Sequence, residues 1–177
     1  MESIIFHQFQ RYKTAQLLLN ALRQKESHSI LEVGSGSHGN LGKFLPNDHI
    51  TYLDSYLSHE ALSKENFVLG DATCLEYEDQ SFDFVIALDV LEHIPQEERR
   101  AFLSCITRVA KLGVIMTYPN ANSENVCNEQ ILAEIYHLVG METPPWVYEH
   151  RGCVLPDNEK ILEMLSQLVS TENVFTM

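Results

Sequence analysis

Four short stretches place carboxylates or small residues directly after apolar runs, and together they suit a ligand with positive charge and no phosphate. The first is Glu32-Val33-Gly34-Ser35-Gly36-Ser37-His38-Gly39. Glycines there permit positive φ and let the backbone come close to a ligand. The spacing Gly34-x-Gly36-x-x-Gly39 alone matches a dinucleotide fingerprint, which is a weak signal. Glu32 changes the balance, because a carboxylate repels a pyrophosphate but suits an ammonium or a sulfonium. A tight turn with no ligand is the plain alternative.

The second stretch is Asp54, which closes HITYLD twenty positions after Gly34. A carboxylate there can accept from both hydroxyls of a ribose, a role shared by many nucleotide sites. The third is Gly70-Asp71-Ala72, where Asp71 can accept from an adenine amino group; an Asp capping its own turn is the competing reading. The fourth runs from Ser81 to Pro95, SFDFVIALDVLEHIP, and delivers Ala87, Leu88 and Asp89 to the end of an apolar strand.

These positions need strands to present them. SILEV, HITYLD, NFVLGD, SFDFVIALD and VIMTY read as buried strands, each bounded by turn residues. Helical spacing separates them. Ile4 to about Lys25 carries Ile5, Phe9, Tyr12, Leu17, Leu18, Ala21 and Leu22, and a short helix over Leu41–Leu45 is stopped by Pro46. Ser58–Lys64 is helical or irregular, and Gln96–Lys111 is helical until Gly113 breaks it. The alternation predicts an α/β fold: a Rossmann-like, doubly wound, mostly parallel sheet with helices on both faces. In such sheets ligands bind beyond the carboxyl ends of the strands, where all four stretches fall.

The 177 residues suit a single domain. It divides into an N-terminal helix (1–28), a core (29–118), an insertion covering the end of the sheet (119–157), and a C-terminal helix with a partial strand (158–177). The insertion holds most of the prolines, the sole Trp146, and one helical stretch, Asn128–Leu138; Asn158–Leu168 is the last helix. A net charge of −13 argues against a nucleic-acid backbone or an anionic membrane as partner. No apolar run is long enough to span a bilayer and no leader is visible, so the expected location is cytoplasmic. Cys74, Cys105, Cys127 and Cys153 are scattered, as are the eight histidines, so no metal site is expected.

The order LEVGSGSHG, YLD, GDA, FDFVIALDVLEHIP resembles the class I S-adenosylmethionine-dependent methyltransferases, especially the methyltransferase type-11 domain. The resemblance covers about Ile30–Tyr118, and more loosely WVYEHRGCVLPDNE. It implies S-adenosyl-L-methionine as cofactor, with Glu32, Gly34, Ser35 and Gly36 around its amino-acid moiety. It further implies Asp54 on the ribose, Asp71 and Ala72 on adenine, and Leu88 and Asp89 near the methionine. The first motif departs from the family by one residue, carrying Ser37-His38 before Gly39.

The resemblance also implies seven strands. This chain stops at about the start of the sixth, TENVFTM, so it is expected to lack the usual C-terminal strands as a truncated or naturally shortened member. The exposed edge of strand five would then be covered by the C-terminal segment, by the insertion, or by a second chain in a homodimer. Methyl transfer to a small-molecule acceptor needs orientation above all. A base is needed only when the nucleophile must lose a proton, and His93 is the candidate, with a structural role as its rival. Glu149 and His150, with Trp146 and Tyr148, are candidates for an acceptor pocket. A protein that binds the cofactor or its demethylated product without catalysis is the alternative function. A nicotinamide oxidoreductase is disfavoured, since no Tyr-x-x-x-Lys occurs.

Overall fold

The computed structural model describes residues 6–142 and 153–170. Its centre is a five-stranded sheet of β1 (Ser29–Val33), β2 (His49–Asp54), β3 (Phe67–Leu69), β4 (Phe82–Leu88) and β5 (Ala110–Thr117). The order is β3-β2-β1-β4-β5 and every pairing is parallel. All five strands therefore end on one rim.

The order reverses at β1, which pairs with β2 on one side and β4 on the other. Register carries Val33 beside Leu53 and Ala87, and Leu88 beside Thr117. The loops after β1 and β4 thus leave side by side, at the switch point where such sheets bind ligands.

Side-chain alternation with period two decides which helix meets which residue. Ile30, Phe84, Ile86 and Leu88 pack with Ala15 and Leu19 of α1 (Phe6–Leu22) and with Ala61 of α2 (His59–Leu62). Leu31, Val33, Val85 and Ala87 pack on the opposite face with Phe102, Leu103 and Ile106 of α3 (Arg99–Val109) and Ile161 of α5 (Asn158–Leu168). Glu32 shares the parity of Ile30, so it faces α1. Between β5 and α5 lies α4 (Ser123–Leu138), whose Ile131, Ile135 and Leu138 are exposed.

Three expectations change. Gly113 does not end the helix: α3 stops at Val109 and β5 begins at Ala110 without a turn. Gly113 sits inside β5, where an added Cβ would lie in ordinary contact with the Phe84 ring at 3.7 Å, so neither space nor backbone conformation demands glycine there. The 41–45 helix is a 3-10 turn over Asn40–Lys43, and α4 starts earlier than predicted, at Ser123. Trp146, Tyr148, Glu149, His150 and TENVFTM lie outside the described residues. Among the described residues, no helix is long and apolar enough to cross a membrane, and no cluster of metal-ligating residues occurs.

Candidate functional site

The loop after β1 is fastened to the end of β2. Gly34 N and Ser35 N both donate to Leu53 O, at 2.8 and 3.3 Å, and Gly36 N donates to Asp54 Oδ2 at 2.7 Å. Asp54 Oδ1 accepts from Tyr56 N at 3.0 Å. Each Asp54 oxygen thus holds one N–H of a rim loop and keeps a second lone pair. Gly34 and Gly36 have φ of +70° and +60°. A Cβ on Gly34 would collide with Val90 Cγ2 at 2.4 Å, so this turn lies directly against the loop after β4. A Cβ on Gly36 would meet nothing within 4 Å, which leaves its backbone open to a ligand.

Glu32, on the last full turn of the β1 pleat before this loop, is 2% exposed. Burial pushes its carboxyl up to about 8; a bond from Tyr12 works the other way, and the charge on Asp54 adds to the rise. Oε2 is buried and has no hydrogen-bond partner among the described residues. An orphaned buried oxygen on a carboxyl this close to ionising is what an incoming cation would satisfy. Tyr52 and Tyr12 are raised too, Tyr52 to about 12, by burial first and the Glu32 charge second.

Asp89 follows β4 in the left-handed region, with φ of 53°. Its N–H donates to Thr117 O at 2.9 Å, and Oδ1 accepts from Thr117 Oγ1 at 2.8 Å. Oδ2 forms an ion pair with Arg11 Nε at 2.6 Å. Leu88 is buried beneath it. Arg11 and Tyr12, adjacent on α1, therefore lie over Asp89 and Glu32. The sequence reading missed both, because it counted Tyr12 only as part of an apolar stripe. The available signal was a charged and a hydroxyl-bearing residue side by side on that stripe.

Asp71 stands after β3, two strands from Glu32, and is exposed. Its Oδ1 accepts from Thr73 N and Thr73 Oγ1 at 2.8 and 2.7 Å, bonds that hold its pKa below the ordinary value. Locally it is the turn cap named as the competing reading. Ala72 is buried beside it, with Leu75. His93 ends a 3-10 turn, Leu91–His93, just beyond β4 and is half-buried. Glu32, Gly34, Ser35, Gly36, Asp54 and Asp89 are thus brought together, while Asp71 and Ala72 stand further along the same rim.

A family model described as a methyltransferase domain matches residues 31–117, the span that contains this rim. Solved structures share the fold. The PH0226 protein of Pyrococcus horikoshii aligns with a TM-score of 0.55 at 23% identity, over 75% of this chain and 61% of its own. The YcgJ protein of Bacillus subtilis gives 0.62 at 18%, over 88% and 67%. A Methanosarcina mazei S-adenosylmethionine-dependent methyltransferase gives 0.61 at 20%, over 85% and 82%. This chain therefore spans between three fifths and two thirds of the length of the first two. The domain match over residues 31–117 and the parallel sheet agree in marking this span as a methyltransferase domain.

Proposed function

We propose that this protein transfers a methyl group from S-adenosylmethionine to a small-molecule acceptor. The observation that carries the reading is Glu32, a buried carboxyl with an orphaned oxygen beside an open glycine turn. The residues present fit the cofactor. Glu32 offers a charge-assisted partner to the ammonium, and the turn Gly34–Gly36, whose N–H groups are taken by Leu53 and Asp54, offers it carbonyl oxygens. Asp54 has lone pairs left for ribose hydroxyls, and Asp71 and Ala72 border the place for adenine. Leu88 and Asp89 face the methionine end, where Arg11 adds a guanidinium able to take a carboxylate.

When bound, the cofactor supplies a sulfonium methyl, an electrophile whose leaving group needs no protonation. The protein's own task is then to orient the acceptor and keep water out. His93 takes the acceptor's proton on its imidazole where the nucleophile carries one. The acidic rim favours neutral or cationic acceptors and disfavours nucleic acid.

The test is titration calorimetry with S-adenosylhomocysteine and, separately, NAD. Binding of S-adenosylhomocysteine with no heat from NAD is expected. Binding of NAD alone would overturn the reading.

A further inference from the structure

We propose that Arg99 is a positioning residue that sets the acceptor side of the site by stitching the segment Cys153–Leu155 to the turn bearing His93. The inference rests on the methyltransferase reading for where acceptor and methyl group meet.

Arg99 opens α3, yet it is 3% exposed, and a buried guanidinium must be matched by acceptors. Its Nε donates to Ile94 O at 3.0 Å, and its Nη2 donates to Cys153 O at 2.8 Å and also to Val154 O. One planar fork thus holds carbonyls from two elements far apart in the chain, a task that suits arginine better than lysine. The Cys153 thiol closes the same seam by donating to His93 O at 3.5 Å. Carbonyls 93 and 94 are therefore held from outside the turn. Inside it, His93 N and Ile94 N close on Val90 O and Leu91 O at 2.9 and 3.2 Å.

A second observation comes from the backbone. Val154 has φ of 54°, although a β-branched side chain is ill suited to the left-handed region. Such a conformation persists only where the surroundings over-determine it, and strained residues of this kind gather at functional sites. The fork on the Cys153 and Val154 carbonyls is that constraint. Downstream, Pro156 O accepts from Ala121 N at 2.7 Å, and Asn120 Oδ1 accepts from Asn158 N at 3.0 Å. The segment is thus pinned at one end to the exit of β4 and at the other to the exit of β5, the two loops that flank the place for the methyl group. Burial works against the Arg99 charge, and Cys153, Glu92 and Glu97 act in its favour.

The test uses Arg99→Gln and Arg99→Lys in the full chain, with three readouts. These are S-adenosylhomocysteine affinity by calorimetry, the His93 imidazole signal by carbon-13 NMR titration (assigned with His93→Gln), and amide exchange at Ala121 and Asn158. In Arg99→Gln the affinity should stay within about threefold, since the hydrogen bonds of Arg99 among the described residues go to Ile94, Cys153 and Val154 and not to the cofactor rim. The His93 signal and its titration midpoint should move, and the two amides should exchange about tenfold faster or more. Arg99→Lys keeps the buried charge and should show the same changes in smaller measure. It decides the matter if the Gln variant does not fold. A folded variant with an unchanged His93 signal and unchanged exchange overturns the inference. Failure of the wild type to bind S-adenosylhomocysteine overturns the functional reading instead, and the His93 and exchange readouts still judge the stitch.

Discussion

At the amino end of the sheet, Asp83 accepts from Ser29 N at 2.9 Å and pairs with Lys25 Nζ at 2.7 Å, with His28 Nδ1 at 3.3 Å. Burial alone would raise its pKa, but the bonds from Lys25 and Ser29 hold the carboxyl down to about 2. At the carboxyl end, on the neighbouring strand β1, Glu32 is also buried, and its carboxyl is pushed up to about 8. Asp83 Oδ2 gathers a backbone N–H and a lysine from the protein itself; Glu32 has an oxygen with no partner among the described residues. A satisfied group ties β1 to β4 and serves the fold. An unsatisfied one costs stability and persists where a ligand completes it.

The largest expected effect is at Glu32. Glu32→Gln should weaken S-adenosylhomocysteine binding by about a hundredfold or more, as expected for removing one side of a buried charge pair. The wild type should also be pH-sensitive. An ammonium selects the ionised carboxylate, so affinity should climb roughly tenfold per pH unit up to about pH 8 and then level, with proton uptake by the buffer at pH 7. The folded pKa is raised, so the stability Glu32 permits is fully present below about 4.5 and is lost as pH rises through about 8. Glu32→Gln should therefore melt higher than the wild type above neutrality while binding worse. Calorimetry in two buffers and melting curves from pH 5 to 9 check this. Flat affinity from pH 6 to 8 would erase the contrast between the two ends.

Asp83→Asn should do the reverse. Losing the charge that meets Lys25 should cost about 1–2 kcal/mol, discounted because that lysine is half exposed. Asp83 is a depressed carboxyl, so its contribution is present above about 3.8 and is lost as pH falls toward about 2. The melting difference should shrink in acid and vanish near pH 2, with S-adenosylhomocysteine affinity unchanged at neutral pH. A variant that melts like the wild type but binds poorly would mean that the two ends are coupled.

The same contrast explains what could be read from residues alone. Strand ends are written locally: an apolar run, then Gly, Asp or Asn, fixes where β1, β2 and β4 stop and which side chains reach the rim. Parity along β1 separates Glu32 from Leu31 and Val33 without any coordinates. The final helix, Asn158–Leu168, was legible to the residue because Asp157 caps it by accepting from Glu159 N and Lys160 N. Contacts between elements distant in the chain carry no such local mark. Helical spacing shows that α1 has an apolar side, but not that the side bearing Tyr12 lies over Glu32. The α3–β5 junction was missed for a related reason. Val109 and Ala110 continue the apolar pattern of the helix, and only pairing of Phe82 with Ala110 turns the chain into a strand there.

Arg11 is where the missed contact can be tested with the smallest effect. Its ion pair with Asp89 is partly exposed, with side-chain exposures of 37% and 23%. Such a pair contributes under about 1 kcal/mol to folding, so Arg11→Gln should melt close to the wild type. On the proposed reading, S-adenosylhomocysteine brings both an ammonium and a carboxylate to this end of the rim. Its carboxylate can draw Arg11 from Asp89, while its ammonium stays on Glu32. Arg11→Gln should accordingly weaken S-adenosylhomocysteine by about three- to tenfold, yet leave methylthioadenosine, which lacks the amino acid, unaffected. Tighter binding of S-adenosylhomocysteine would show instead that Arg11 merely blocks Asp89. Equal losses for both ligands would place the contribution of α1 in burying Glu32 and not in meeting the ligand's charge.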